Sequence, residues 1–157
     1  MSNEFQGTSG SVSDQRFAII VSTYHESITS KLKDGAEKTL LRNEVPADQI
    51  DILWVPGAWE IPTATQMALQ TSRYQAVITL GCVIRGETTH DQHINTTVSQ
   101  SLGQLSLEFR VPVAFGVLTC NSMDQAIARS GGEVGNKGVE AAEAAIHMLL
   151  LQKELLS

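Results

Sequence analysis

Short apolar runs alternate with amphipathic stretches along the whole chain. Phe17-Ala-Ile-Ile-Val21 is continuous and apolar, which predicts a strand buried on both faces. Ile28, Leu32, Ala36 and Leu40 then recur at the spacing of one helix face. Pro46 and Asp48 turn the chain into a second strand, Ile50 to Val55. Pro56-Gly57 breaks it, and a helix follows with Pro62 in its first turn, where a missing N–H costs nothing. A third strand is predicted at Ala76-Val-Ile-Thr-Leu80, a long amphipathic helix from about His90 to Glu108, and a fourth strand from Val113 to Leu118 behind Pro112. Ser122 to Gln125 fits a capping box opening a short helix, which Gly131-Gly132 ends. The last helix begins near Asn136, with Val139, Ala142, Ile146 and Leu149 spaced three or four apart.

Strand–helix alternation with continuous apolar strands implies a parallel sheet covered on both faces. The expected fold is α/β: a three-layer sandwich of flavodoxin-like character, with a four-stranded parallel sheet flanked by helices. The length, 157 residues with 42% hydrophobic and 18% charged, suits one globular domain. The first fifteen residues are polar and rich in Ser and Gly; they read as a flexible arm, residues 1–15, ahead of a single domain at 16–157. A net charge of -6 argues against nucleic acid as the main partner. It also means that an anionic substrate must be held by a few placed cations and amides. The arm has no apolar core of a signal peptide, and no stretch approaches a membrane span, so a cytoplasmic protein without membrane partners is expected. Cys82 and Cys120 lie in no CxxC or zinc spacing and read as small buried hydrophobes in a reducing compartment.

In such sheets ligands bind beyond the carboxyl ends of the strands. Tyr24-His25 follows the first strand, Gly57-Ala58-Trp59-Glu60 the second, and Gly81-Cys82-Val83-Ile84-Arg85-Gly86-Glu87-Thr88-Thr89-His90 the third, while Phe115 and Gly116 lie in the fourth. Gly81 and Gly86 bracket a predicted turn into a helix, where free amides at Glu87 and Thr88 would form an anion site suited to phosphate. His90 lies within a turn of it, and an imidazole there can pass a proton between substrate atoms. The alternative is an ordinary strand-to-helix turn with a solvated histidine. His90 and His93 form an H-x-x-H pair with no evident third ligand, so no metal site is expected. Arg129 ends the short helix, where a cation also relieves the helix dipole. Lys137 opens the last helix at the positive end of its dipole and calls for an offsetting anion. Tyr24 and Trp59 could both belong to the core, but a tyrosine directly after a strand and followed by His25 is more easily explained as partly exposed, where it can stack on a flat heterocycle. No GxGxxG follows the first strand and no GxxxxGK[ST] occurs, which disfavours dinucleotide and P-loop functions.

Four segments, in this order, resemble the lumazine synthase family: Val55-Pro-Gly-Ala-Trp-Glu-Ile-Pro62, Gly81-Cys-Val-Ile-Arg-Gly-Glu-Thr-Thr-His90, Val111-Pro-Val-Ala-Phe-Gly-Val-Leu-Thr119 and Gly135-Asn-Lys-Gly138. The resemblance runs from about Arg16 to the last helix. It implies an enzyme, a transferase of riboflavin biosynthesis, that condenses 5-amino-6-(D-ribitylamino)uracil with 3,4-dihydroxy-2-butanone 4-phosphate to 6,7-dimethyl-8-ribityllumazine. No cofactor is implied. By the same resemblance Tyr24 stacks on the pyrimidine, Ala58, Trp59 and Glu60 line the ribityl chain, and Cys82, Val83 and Ile84 offer backbone groups to the pyrimidine edge. Glu87, Thr88 and Arg129 bind the phosphate, His90 is the acid/base, Phe115 closes over the ring, and Lys137 lies close by. Phe115 and Arg129 would reach in from the adjacent subunit of a homopentamer, and twelve pentamers can pack into an icosahedral sixty-subunit shell. The short Gly131–Gly135 loop permits that shell. Tyr24-His25 departs from the usual Phe-Asn pair, and Glu133 stands where a lysine is common. A flavin or lumazine binder without catalysis, or a shell protein for encapsulation, are the competing readings; the presence of His90 and Arg129 and the absence of an acidic run favour the enzyme.

Overall fold

The computed structural model describes all 157 residues. Its strands are β1 (Phe17–Ser22), β2 (Ile50–Val55), β3 (Ala76–Ile84) and β4 (Val113–Cys120), joined in one sheet in the order β2-β1-β3-β4. Every pairing is parallel. The helices are α1 (Glu26–Arg42), α2 (Ile61–Gln70), α3 (His90–Phe109), α4 (Met123–Ala128) and α5 (Lys137–Leu156).

Alternation along β1 separates two cores. Phe17, Ile19 and Val21 face α1 and α5, where they meet Leu32, Leu40, Ala142 and Leu149. Ala18 and Ile20 face α2 and α3, packing with Ile61, Leu69, Val98 and Leu102. The result is the expected three-layer α/β sandwich, with the helix face Ile28, Leu32, Ala36 and Leu40 fully inside. The α1–α5 contact is close. A Cβ added at Gly138 would run into the backbone carbonyl of Leu32. Asn136 fixes this junction: its Oδ1 accepts from Gly138 N and Val139 N at 2.8 and 3.2 Å, and its Nδ2 donates to the Lys31 carbonyl at 3.1 Å.

Three departures from the sequence reading stand out. First, β3 does not stop at Leu80: Gly81 to Ile84 continue the ladder, pairing with Val117 to Cys120 of a β4 that is correspondingly longer. Gly81 is therefore no turn residue. A Cβ there would sit 3.1 Å from the Ile61 side chain and 3.3 Å from Ser22 Oγ, so glycine makes room between layers. The turn falls later, after Arg85 N donates to the Cys120 carbonyl at 2.8 Å. Second, the segment after α4 forms a two-stranded ribbon, β5 (Ser130–Gly132) against β6 (Gly135–Asn136), with Gly131 and Gly135 at φ of 110° and 105°. Third, the segment ahead of β1 lies along α5. Val12 is buried in the core, Glu154 accepts from Gly7 N at 3.0 Å and from Ser9 Oγ at 3.1 Å, and Lys153 Nζ donates to the Ser11 carbonyl at 2.6 Å.

Candidate active site

The strand order reverses between β1 and β3, since their chain neighbours β2 and β4 lie on opposite sides. A crevice at the carboxyl ends is the geometric consequence. A cleft of about 620 Å³ occupies that place. Its first wall is the β1–α1 turn, Tyr24 and His25. Thr23 N and Tyr24 N donate to the carbonyls of Val55 and Pro56 at 2.8 and 3.0 Å, which ties this turn to the end of β2. Its second wall is Gly57, Ala58 and Trp59, the last two in the single 3-10 turn Ala58–Glu60 that precedes α2. The floor is Cys82, Val83 and Ile84 at the end of β3. Gly86, Thr88, His90, Asp91 and Ile94 complete the rim from the β3–α3 loop and the first turns of α3.

The aromatic groups are available for a ligand. Tyr24 is 68% exposed and Trp59 55%. Cys82 enters differently. Its side chain packs in the core under α1 and α5, so what it can offer the cleft is backbone. Burial pushes its thiol up to about 12 and also raises that of Cys120, so neither is a nucleophile near neutral pH.

The loop Gly86–Thr89 keeps its amides free. Within the chain the N–H groups of Gly86, Glu87 and Thr88 find no acceptor, while His90 N donates to Thr88 Oγ1 at 3.3 Å. These unsatisfied donors precede the N-terminus of a twenty-residue helix, an arrangement that favours an anion. The His90 ring makes no hydrogen bond within the chain and is exposed to solvent at the rim. Asp91 and Asn95, one helical turn apart, each hold a buried Oδ1 without a donor.

Five residues singled out from the sequence lie outside this protomer's cleft. Glu60 stands just behind it at the start of α2, with its Oε1 3.3 Å from where a Gly57 Cβ would be. Glu87 is exposed on the loop. Phe115 is 40% exposed on the edge strand β4. Arg129 caps α4, its Nη1 donating to the Gln125 carbonyl at 3.3 Å, and it lowers the Cys120 thiol against the effect of burial. Lys137 N donates to the Arg129 carbonyl at 2.9 Å, so the two cations share one locality, and neither has a carboxylate partner. The anion that Lys137 calls for is thus not supplied by the chain around it. No lysine or arginine lines the cleft.

Conversely, His25, Gly57, Gly86, Asp91 and Ile94 line the cleft although the sequence reading gives them no binding role. A signal existed for two of them. Ile94 follows His90 at i+4 and Asp91 at i+3, so it lies between them on one broad face of α3.

The model of the 6,7-dimethyl-8-ribityllumazine synthase family matches residues 14–153. The 6,7-dimethyl-8-ribityllumazine synthase of Rhodopirellula baltica is 47% identical over 149 residues, covering 95% of this chain and 96% of its own length. With the sheet, the crevice and the four motifs all in place, the chain belongs to the 6,7-dimethyl-8-ribityllumazine synthase family.

Proposed function

We propose that the cleft is one half of a condensation site whose other half comes from an adjacent copy of the chain. The activity is that of the family, a step of riboflavin biosynthesis: 5-amino-6-(D-ribitylamino)uracil and 3,4-dihydroxy-2-butanone 4-phosphate give 6,7-dimethyl-8-ribityllumazine. One observation carries the shared-site reading. The cleft has free amides and a histidine but no cation, while Arg129 and Lys137 lie together outside it without carboxylate partners.

In this reading Tyr24 stacks on the pyrimidine, and the backbone of Cys82, Val83 and Ile84 holds its edge. Ala58, Trp59 and Glu60 take the ribityl chain. Thr88, the amide of Glu87 and a neighbour's Arg129 hold the phosphate, and the neighbour's Phe115 covers the ring. The primary amine of the pyrimidine attacks the ketone, and loss of water gives an imine. Phosphate leaves, and the ribityl-bearing nitrogen closes the ring with a further loss of water. His90 carries protons between these atoms, an effect of about 10²–10⁴-fold at most. Amines and ketones condense readily by themselves, so holding the two reactants in register contributes more.

The assembly that fits is a homopentamer, and the short Gly131–Gly135 connection favours packing of pentamers into a sixty-subunit shell; light scattering that finds pentamers alone would overturn the shell. No helix is long and apolar enough to cross a membrane, and a cytoplasmic location suits the proposed substrates. The activity is tested by mixing the purified chain with both substrates. Green fluorescence of the lumazine and stoichiometric release of phosphate are expected, and neither appearing would refute the reading.

A further inference from the structure

His25 is the N-cap of α1, yet its side chain makes no capping hydrogen bond. It sits at φ 59° and ψ 48°, in the left-handed region. At this helix start the His25 carbonyl accepts from Ile28 N and Thr29 N at 2.9 and 3.0 Å, bonds that any residue's backbone could make. The imidazole takes no part in them, and no residue of the chain hydrogen-bonds its ring, so helix formation does not account for it. The left-handed turn instead carries the ring into the cleft, where it packs edge-on against Tyr24 with centroids 4.6 Å apart and planes at 66°. This is the one aromatic pair in the molecule. Tyr24 needs such a partner. Its backbone is anchored through Tyr24 N to the Pro56 carbonyl, but its ring is largely exposed and its hydroxyl has no hydrogen bond. An unsupported ring would lose rotamer freedom each time a ligand stacked on it.

We propose that His25 is a positioning residue: its imidazole holds the Tyr24 ring in the orientation that stacks on a flat heterocycle, and so sets how tightly the cleft takes the pyrimidine. This rests on the reading of the cleft given above. The contact is with Tyr24 and not with the reacting atoms, so it acts on ground-state and transition-state binding alike. Its loss raises KM and leaves kcat in place.

The test is a double-mutant cycle on the assembled protein. His25→Asn and His25→Gly both accept the left-handed backbone, so at least one variant folds even if the other does not. Each is combined with Tyr24→Ala. Binding of 6,7-dimethyl-8-ribityllumazine is followed by its fluorescence, and turnover is measured with both substrates. Both single variants should raise the lumazine Kd and the pyrimidine KM by about three- to tenfold, the range of an aromatic edge-to-face contact, with kcat within about twofold. In the Tyr24→Ala background the same substitutions should change neither quantity. An unaltered Kd in the single variants, or an equal rise with Tyr24 already removed, overturns the proposal. Failure of the wild-type chain to make lumazine would sink the reading of the cleft instead, so the two failures are distinguishable.

Discussion

His90 opens α3 with an unpartnered ring, whereas Arg129 closes α4 with a single bond to a backbone carbonyl. Their different situations predict different kinetic signatures. A guanidinium that grips phosphate contributes a charge-assisted hydrogen bond, so Arg129→Ala should raise the KM for the keto-phosphate about 10- to 100-fold. His90→Ala should leave that KM within about threefold and lower kcat by about a hundredfold. Steady-state kinetics on the two variants check the order, and the reverse order would mean the roles are wrongly assigned. The cysteines give a second prediction at this scale. Burial holds the Cys82 thiol neutral up to about 12, against an ordinary value of 9.0. A thiol group whose folded value is raised binds its proton more tightly in the native state, so its contribution to stability is complete below pH 9 and is lost as the pH climbs towards 12. Folded protein at pH 8 should therefore leave Cys82 unlabelled by a thiol reagent, while denatured protein reacts at both Cys82 and Cys120. Labelling of Cys82 at the rate of a free thiol would contradict the assigned burial.

Elements were legible where one physical signal dominated. Apolar runs announced the four strands, and the spacing of Ile28, Leu32, Ala36 and Leu40 announced α1 and its buried face. What escaped depends on neighbours distant in sequence. Gly81 looks like punctuation, but it is glycine because Ile61 and Ser22 crowd it from across the sheet, and β3 runs on past it. The polar composition of residues 1–15 hides Val12, whose burial requires α5 to be present. The site divides in the same way. Residues beyond strand ends could be placed from chain order, whereas Asp91 and Ile94 needed the phase of α3. Phe115 and Arg129 stood out by strand position and by charge, but only the resemblance assigns them to a neighbouring copy's site, and within one protomer they do not reach the cleft. The α1–α5 junction offers a test of the packing account. Asn136→Ala removes the cap of α5 and the bond to Lys31 together. It should cost about 2 kcal/mol, a fall in Tm of roughly 4–8 °C at fixed protein concentration. Scanning calorimetry that finds Tm unchanged would show that the junction is held by the close backbone contact alone.

Over the whole molecule, the charge distribution is the feature that asks for an assembly. A chain of net charge -6 is proposed to take an anionic substrate, its cleft carries no cation of its own, and its β4 edge exposes Phe115. On the proposed reading, a single protomer offers amides and a proton carrier, and a ring of protomers would close each cleft with the next one's arginine. The most direct measurement is complementation between inactive partners. His90→Ala and Arg129→Ala chains are refolded together, and lumazine formation is followed at a keto-phosphate concentration well below the KM of Arg129→Ala. If each site draws on two chains, random mixing leaves about a quarter of the interfaces with both residues intact, and activity should return to about a quarter of wild type. If the mixture shows only the summed activities of the two separate variants, His90 and Arg129 serve the same chain or no common site, and the shared-cleft account is wrong.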